Sequence, residues 1–216
     1  PAGHHVQVVD LADWPMSRFV PQPMGEALRD ALRAAGVEWH LGTSVSSVSK
    51  SDSGYSVQLA SGATLESDLV LSAVGLRART KLAADAGLDV DCGIQVNAAL
   101  QTSDACIYAL GDCAEVSGRV LPFVMPLMTC ARALAKTLSG ESTDVVYPPM
   151  PVVVKTPACP TVVLPPDAGI DGTWQLEGDA PDLTARFVGP NGALLGFALT
   201  GGATSSRQTL VKEMAT

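Results

Sequence analysis

A short apolar run, residues 106–110, stops abruptly at Gly111-Asp112. Its length is that of a buried strand. A strand that ends in glycine and then aspartate delivers one carboxylate to a sheet edge. The glycine lets backbone and ligand approach closely. In open α/β sheets, ligands bind beyond the carboxyl ends of the strands, where a fixed carboxylate can accept hydrogen bonds from sugar or ribityl hydroxyls. The same dipeptide also reads as a plain turn after a core strand, with Asp112 closing an Asx-type turn.

The chain before this stretch reads as α/β. Residues 6–9 form a strand closed by Asp10. An acid at the end of the second strand of a dinucleotide fold bonds the adenine ribose 2′-hydroxyl and repels a 2′-phosphate. Asp10 in that role favours NADH over NADPH; otherwise it is an exposed strand-end carboxylate. The Gly-x-Gly-x-x-Gly loop expected ahead of such a strand is not in this sequence. Residues 15–23 are a proline-rich loop. Leu28, Ala31, Leu32 and Ala35 then recur at helical spacing, and Gly36 supplies the stop. Residues 37–41 are strand-like. Residues 45–71 read as a β-meander, with Ser53-Gly54 and Ser61-Gly62 as turns and Tyr55, Val57 and Leu59 on one face. Residues 68–75 read as a buried strand ending in Gly75.

A short helix is expected over 80–86, and short strands over 94–97 and 99–102; 116–122 reads as a loop. Pro126 then opens an amphipathic helix carrying Leu127, Ala131, Leu134, Ala135 and Leu138, which ends at Gly140. Such a helix start favours negative charge through its free N–H groups and its dipole. Pro148-Pro149-Met150-Pro151 is a rigid hinge. Beyond it, strands at 152–155, 161–164, 173–177, 183–188 and 194–199 and a helix at 205–214 predict a small α+β domain, with Asn191-Gly192 as a hairpin turn. Lys155 ends a Val-Val-Val run, which puts its ammonium either at the mouth of a pocket or on a snorkelling edge.

The net charge of −8 and the lack of a basic tail argue against a nucleic-acid partner. No apolar run reaches the roughly 18–20 residues of a membrane helix. The five cysteines, widely spaced and without a Cys-x-x-Cys pair, fit reduced thiols in the cytoplasm. His4, His5 and His40 lack the ligand spacing of a zinc site, so no metal is expected. The chain opens on Pro1, almost directly before a strand, and reads as a piece of a longer polypeptide.

Thr102, Ile107-Tyr108-Ala109 and Gly111-Asp112 resemble the second FAD signature of the flavin-dependent pyridine-nucleotide reductases. The likeness continues through Cys113-Ala114-Glu115 and through residues 124–128 (Val-Met-Pro-Leu-Met). Residues 151–160 resemble the same region of bacterial rubredoxin reductases. The likeness runs over nearly the whole chain and is to the C-terminal part of such enzymes. It implies a partial NAD(H)-binding domain at 1–75, a partial FAD-binding domain at 76–147 and a C-terminal domain at 148–216. The two nucleotide domains would be three-layered. The resemblance also implies FAD and NAD(H) as cofactors, with rubredoxin or a similar small iron protein as partner. Asp112, after Gly111, would anchor the ribityl or pyrophosphate region. Val124 and Met125 would hold the N1/C2 edge of the flavin. Lys155 would lie near N5 and O4, and backbone near Gly75 beside the nicotinamide nucleotide. In the family a proline usually follows near Leu76-Arg77; here Ala78 takes that place. Disulfide-reducing relatives carry a C-terminal His-Pro pair, which this chain lacks; Cys159 reads as a buried turn thiol. No residue is required as a catalytic acid or base. The neighbouring readings are a ferredoxin or flavorubredoxin reductase, an NADH oxidase, or a non-catalytic piece that only binds a partner.

Overall fold

A computed structural model describes residues 3–52, 54–167 and 169–214. They cluster into two compact units. One holds the residues up to Leu71 together with those from Pro151 onward; the other is Ser72–Met150.

The first unit opens with β1 (Val6–Asp10). It pairs in parallel with β2 (Val37–Leu41), Val6 opposite Val37 and Asp10 opposite Leu41. Parallel neighbours need a crossover of a dozen or more residues, and α1 (Gln22–Ala34) supplies it. Its proline lies in the first turn, and Gly36, at φ +94°, ends it in the left-handed region where a Cβ is disfavoured. The helix begins six residues before the first apolar position read from sequence, because Met24 and Gly25 already belong to its buried face. The meander follows as β3 (Val45–Ser51), β4 (Gly54–Leu59) and β5 (Thr64–Ser67), all antiparallel. Val57 and Leu59 are buried on one face, with Tyr55 exposed at its end. Ser53, half of the expected Ser53-Gly54 turn, lies outside the described residues.

The expected buried strand over 68–75 is not there. Residues 68–75 form no strand, and Leu69, Leu71 and Val74 are 76%, 80% and 93% exposed. A strand needs a ladder for its N–H and C=O groups. Among the described residues, β1 and β2 form a two-stranded sheet that does not include this run.

In the second unit, α2 (Lys81–Asp85) stops before Gly87, and β6 (Ile94–Val96) pairs in parallel with β7 (Ala114–Val116). β7 runs on to Val116, where the sequence reads as the start of a loop. The apolar run 106–110 does not form a strand either. It makes a single bridge between Tyr108 and Gln101, and the expected strand over 99–102 is likewise absent. Thr102 N–H to the Ile107 carbonyl and Ala109 N–H to the Leu100 carbonyl flank that bridge, and side chains hold the neighbouring turns. The Asn97 carboxamide oxygen accepts from Ala99 and Gln101 N–H, Asp104 accepts from Cys106 N–H at 2.7 Å, and Leu100 is left-handed at φ +67°. Such local bonds compete with a ladder. α3 (Val124–Leu138) covers the core formed by Leu100, Ala109, Ala114, Val116, Cys130 and Leu134.

The first unit resumes with β8 (Val152–Val154), β9 (Thr161–Leu164), β10 (Thr173–Glu177), β11 (Thr184–Val188) and β12 (Leu194–Thr200). They form one antiparallel sheet in the order β10-β11-β12-β9-β8. A 3-10 segment (Gly201–Ser206) leads into α4 (Arg207–Met214). The period of two sorts the sheet's side chains between its faces. Ala198 and Val163 pack with Val20 and Met24 of the α1 region, while Phe197, Leu199 and Val162 pack with Leu210 of α4. The sheet is thus the middle layer between α1 and α4. Burying Phe197 and Leu199 completely contributes about 1.5–3 kcal/mol each.

Candidate functional site

Gly111 and Asp112 sit in a tight turn closed by the Ala114 N–H donating to the Gly111 carbonyl at 3.0 Å. Gly111 is at φ +83°, and a Cβ there would lie 3.1 Å from Leu127 Cδ1. The turn therefore lies against the first turn of α3, and glycine is what lets it. The Asp112 carboxylate is exposed and, among the described residues, takes part in no hydrogen bond or ion pair. The turn is closed by backbone, not by an Asx contact from Asp112.

The start of α3 is chemically unusual. Phe123 precedes it in extended conformation, and among the described residues no side chain caps its first N–H groups. Val124, Met125 and Met128 are 71%, 55% and 45% exposed, so uncapped donors are rimmed by apolar side chains. Water normally satisfies such donors. This tip instead suits a flat group with an apolar body and an acceptor-bearing, electron-rich edge.

Behind the tip lies a recess of about 10 Å³, the space of one water. Gly111, Leu127, Arg119, Cys130 and Tyr147 line it. The Cys130 thiol, 2% exposed, is 3.1 Å from the Tyr147 hydroxyl, and either group can donate. The Arg119 guanidinium sits over the Tyr147 ring, 5.6 Å from its centre. Burial, reinforced by the bond to the thiol, pushes the Tyr147 hydroxyl above its ordinary value. No sequence signal points to Tyr147. An aromatic beside Pro148 belongs to no periodic pattern, and its partner Cys130 is 17 residues away in the chain.

The remaining expected site residues belong to other segments of the chain. Gly75, also in the second unit, is at φ +95° with open space around it and does not end a strand. Asp10 and Lys155 belong to the first unit. Asp10 is exposed at the carboxyl end of β1, where its carboxylate accepts from Ala12 N–H at 3.0 Å. Its carbonyl takes the Thr43 N–H, which ties the loops after β1 and β2 together. Lys155 is exposed just beyond β8 and, among the described residues, pairs with no carboxylate. The structure thus brings Gly111 and Asp112 together with the start of α3. Cys159 is fully buried, in a turn where the Thr156 hydroxyl donates to its carbonyl at 2.7 Å.

Residues 1–135 match the family model described as pyridine nucleotide-disulphide oxidoreductase, and the chain belongs to that family. Residues 144–214 match the model described as rubredoxin binding C-terminal domain. The chain is similar to the rubredoxin-NAD(+) reductase of Alcanivorax borkumensis, 47% identical over 98% of this chain and 56% of that protein. It is also 47% identical to the Acinetobacter baylyi protein of the same name, over 96% of this chain and 53% of that one. Among solved structures, the covalent putidaredoxin reductase–putidaredoxin complex matches with a TM-score of 0.86 and 25% identity, over 99% of this chain and 53% of that one. The chain therefore spans about half the length of the curated relatives it matches. Among the described residues, no helix is long and apolar enough to cross a membrane.

Proposed function

We propose that this chain forms part of a cytoplasmic, FAD-dependent NADH:rubredoxin reductase. The observation that carries the reading is the Gly111-Asp112 turn lying against an uncapped, apolar-rimmed start of α3. The residues present fit a flavin nucleotide. Gly111 lets the turn pack against Leu127 and so sets Asp112 beside the first turn of α3, that turn offers free donors, and among the described residues the Asp112 carboxylate is unengaged.

A bound FAD would supply the chemistry that couples a two-electron hydride donor to a one-electron iron carrier. The protein supplies binding and electrostatics. Backbone N–H groups of Val124 and Met125 would hold the electron-rich edge of the ring. Asp112 would accept from ribityl hydroxyls or orient the pyrophosphate region. Lys155 would place a cation at the reactive edge and stabilise charge that builds there. Asp10 would bind the ribose of NADH, and backbone near Gly75 would flank the nicotinamide nucleotide. Residues 1–75 would serve NAD(H), 76–147 FAD and 148–216 the redoxin, with no proton transfer assigned to any side chain. The match of residues 144–214 to a rubredoxin-binding domain supports the partner.

The test is made on the complete polypeptide. The wild type is expected to purify with a flavin spectrum and to reduce rubredoxin with NADH faster than it reduces ferredoxin, flavorubredoxin or oxygen. Asp112→Ala is expected to lose flavin on dialysis. Full flavin retention by that variant would remove Asp112 from the site, and an equal rate with oxygen alone would overturn the choice of acceptor.

A further inference from the structure

Three of the segments that wall the recess behind the start of α3 supply Cys130, Arg119 and Tyr147, all in one unit. α3 contributes Cys130, one turn beyond Pro126 on its buried face. Arg119 comes from a tight reversal in which Val116 and Arg119 exchange backbone bonds at 3.0 and 3.1 Å, with Ser117 and Gly118 both left-handed. Two left-handed residues in succession are the geometry of a tight hairpin turn. Tyr147 comes from the segment that returns after α3. That segment is fastened by Thr143 N–H to the Thr137 hydroxyl at 3.0 Å and by Val145 N–H to the Ala98 carbonyl at 2.8 Å.

We propose that Tyr147 is a positioning residue for the flavin-binding start of α3, acting through its bond to Cys130 and through its ring beneath Arg119. This rests on the flavin reading of the α3 tip given above. The hydrophobic driving force is non-directional. A hydrogen bond is directional. The Cys130–Tyr147 bond at 3.1 Å therefore fixes the rotation of α3 about its axis, and with it the aim of the Val124 and Met125 N–H groups. Gly111 meets Leu127 on the same helix, so a rotated α3 would also disturb the Asp112 turn. The Arg119 contact falls within the range of a cation–π interaction and keeps the ring seated.

The experiment uses the complete polypeptide and reads three things: the FAD dissociation constant, the flavin midpoint potential and the labelling of Cys130 by a thiol reagent, located by peptide mass spectrometry. Tyr147→Phe keeps the ring and removes the hydroxyl. It is expected to weaken FAD binding about two- to tenfold, the factor one neutral hydrogen bond is worth, to shift the potential and to raise Cys130 labelling. Cys130→Ala is expected to reproduce the binding and potential changes, and the double variant to add little to either single one. Cys130→Ser, which keeps a polar partner for the hydroxyl, is expected to stay close to wild type. If wild type holds no flavin, the flavin reading itself fails. If wild type holds flavin and Tyr147→Phe and Cys130→Ala leave affinity and potential unchanged, or their effects simply add, the positioning role is overturned. Should Tyr147→Phe not fold, the contrast between Cys130→Ala and Cys130→Ser decides the question alone.

Discussion

Replacing Gly111 with alanine separates two costs that this turn combines. At φ +83° an alanine loses about 1–2 kcal/mol from its backbone conformation. Its Cβ would also stand 3.1 Å from Leu127 Cδ1, inside the roughly 3.5–4.0 Å of ordinary carbon contacts. Leu127 must give by a few tenths of an ångström, and a shift that pulls it off its rotamer costs about 0.5–1.5 kcal/mol. Gly118 is the control: at φ +73°, with nothing within 4 Å of a new Cβ, it carries the backbone cost alone. Gly111→Ala is therefore expected to destabilise the second unit by about 0.5–1.5 kcal/mol more than Gly118→Ala. Hydrogen-exchange protection of α3 and β7 amides is the suitable assay, because it reports on one unit without assuming that the chain unfolds in a single step. The excess corresponds to a loss of protection of about two- to tenfold. Repeating Gly111→Ala in a Leu127→Ala background should abolish that excess. Equal losses at the two glycines, or an excess that survives removal of the Leu127 side chain, would refute the close approach of turn and helix.

Three further outcomes follow from the site. Asp10→Ala is expected to raise the NADH KM on the order of tenfold, the worth of a hydrogen bond to a charged group, and to relax discrimination against NADPH; an unchanged cofactor preference in steady-state assays removes Asp10 from the site. Lys155→Met is expected to slow flavin reduction by about tenfold, less than a buried oxyanion donor would give because this lysine is exposed; wild-type stopped-flow rates with an intact fold count against the role. Tyr147 titrates above its ordinary value of 10.0. A group whose folded value is raised contributes stability that is complete below the unfolded value and is lost as pH rises towards the folded one. Wild type should therefore lose stability above about pH 10 more steeply than Tyr147→Phe in alkaline unfolding curves, and parallel curves would exclude this tyrosine as the cause.

Much of the fold is legible in the sequence because it rests on local chemistry. The helix α3 shows in its apolar spacing, the C-terminal sheet in short alternating runs between turn residues, and the end of α1 in Gly36. The misreadings share one physical source. Residues 68–75 and 106–110 have the length and composition of buried strands, but composition does not say whether a ladder partner exists. The first run has no partner among the described residues, and the second pairs only around the Gln101–Tyr108 bridge, with its Cys106 N–H taken by the Asp104 carboxylate. The same limit hides Tyr147. Gly111 and the α3 start are 13 residues apart and announce themselves by type, a glycine before an acid and a proline in a first turn. Cys130, Arg119 and Tyr147 carry no such mark, since each is ordinary in its own segment. Their meaning arises when a hairpin, a helix and a returning segment close on one small recess, and that meeting is a property of the tertiary fold.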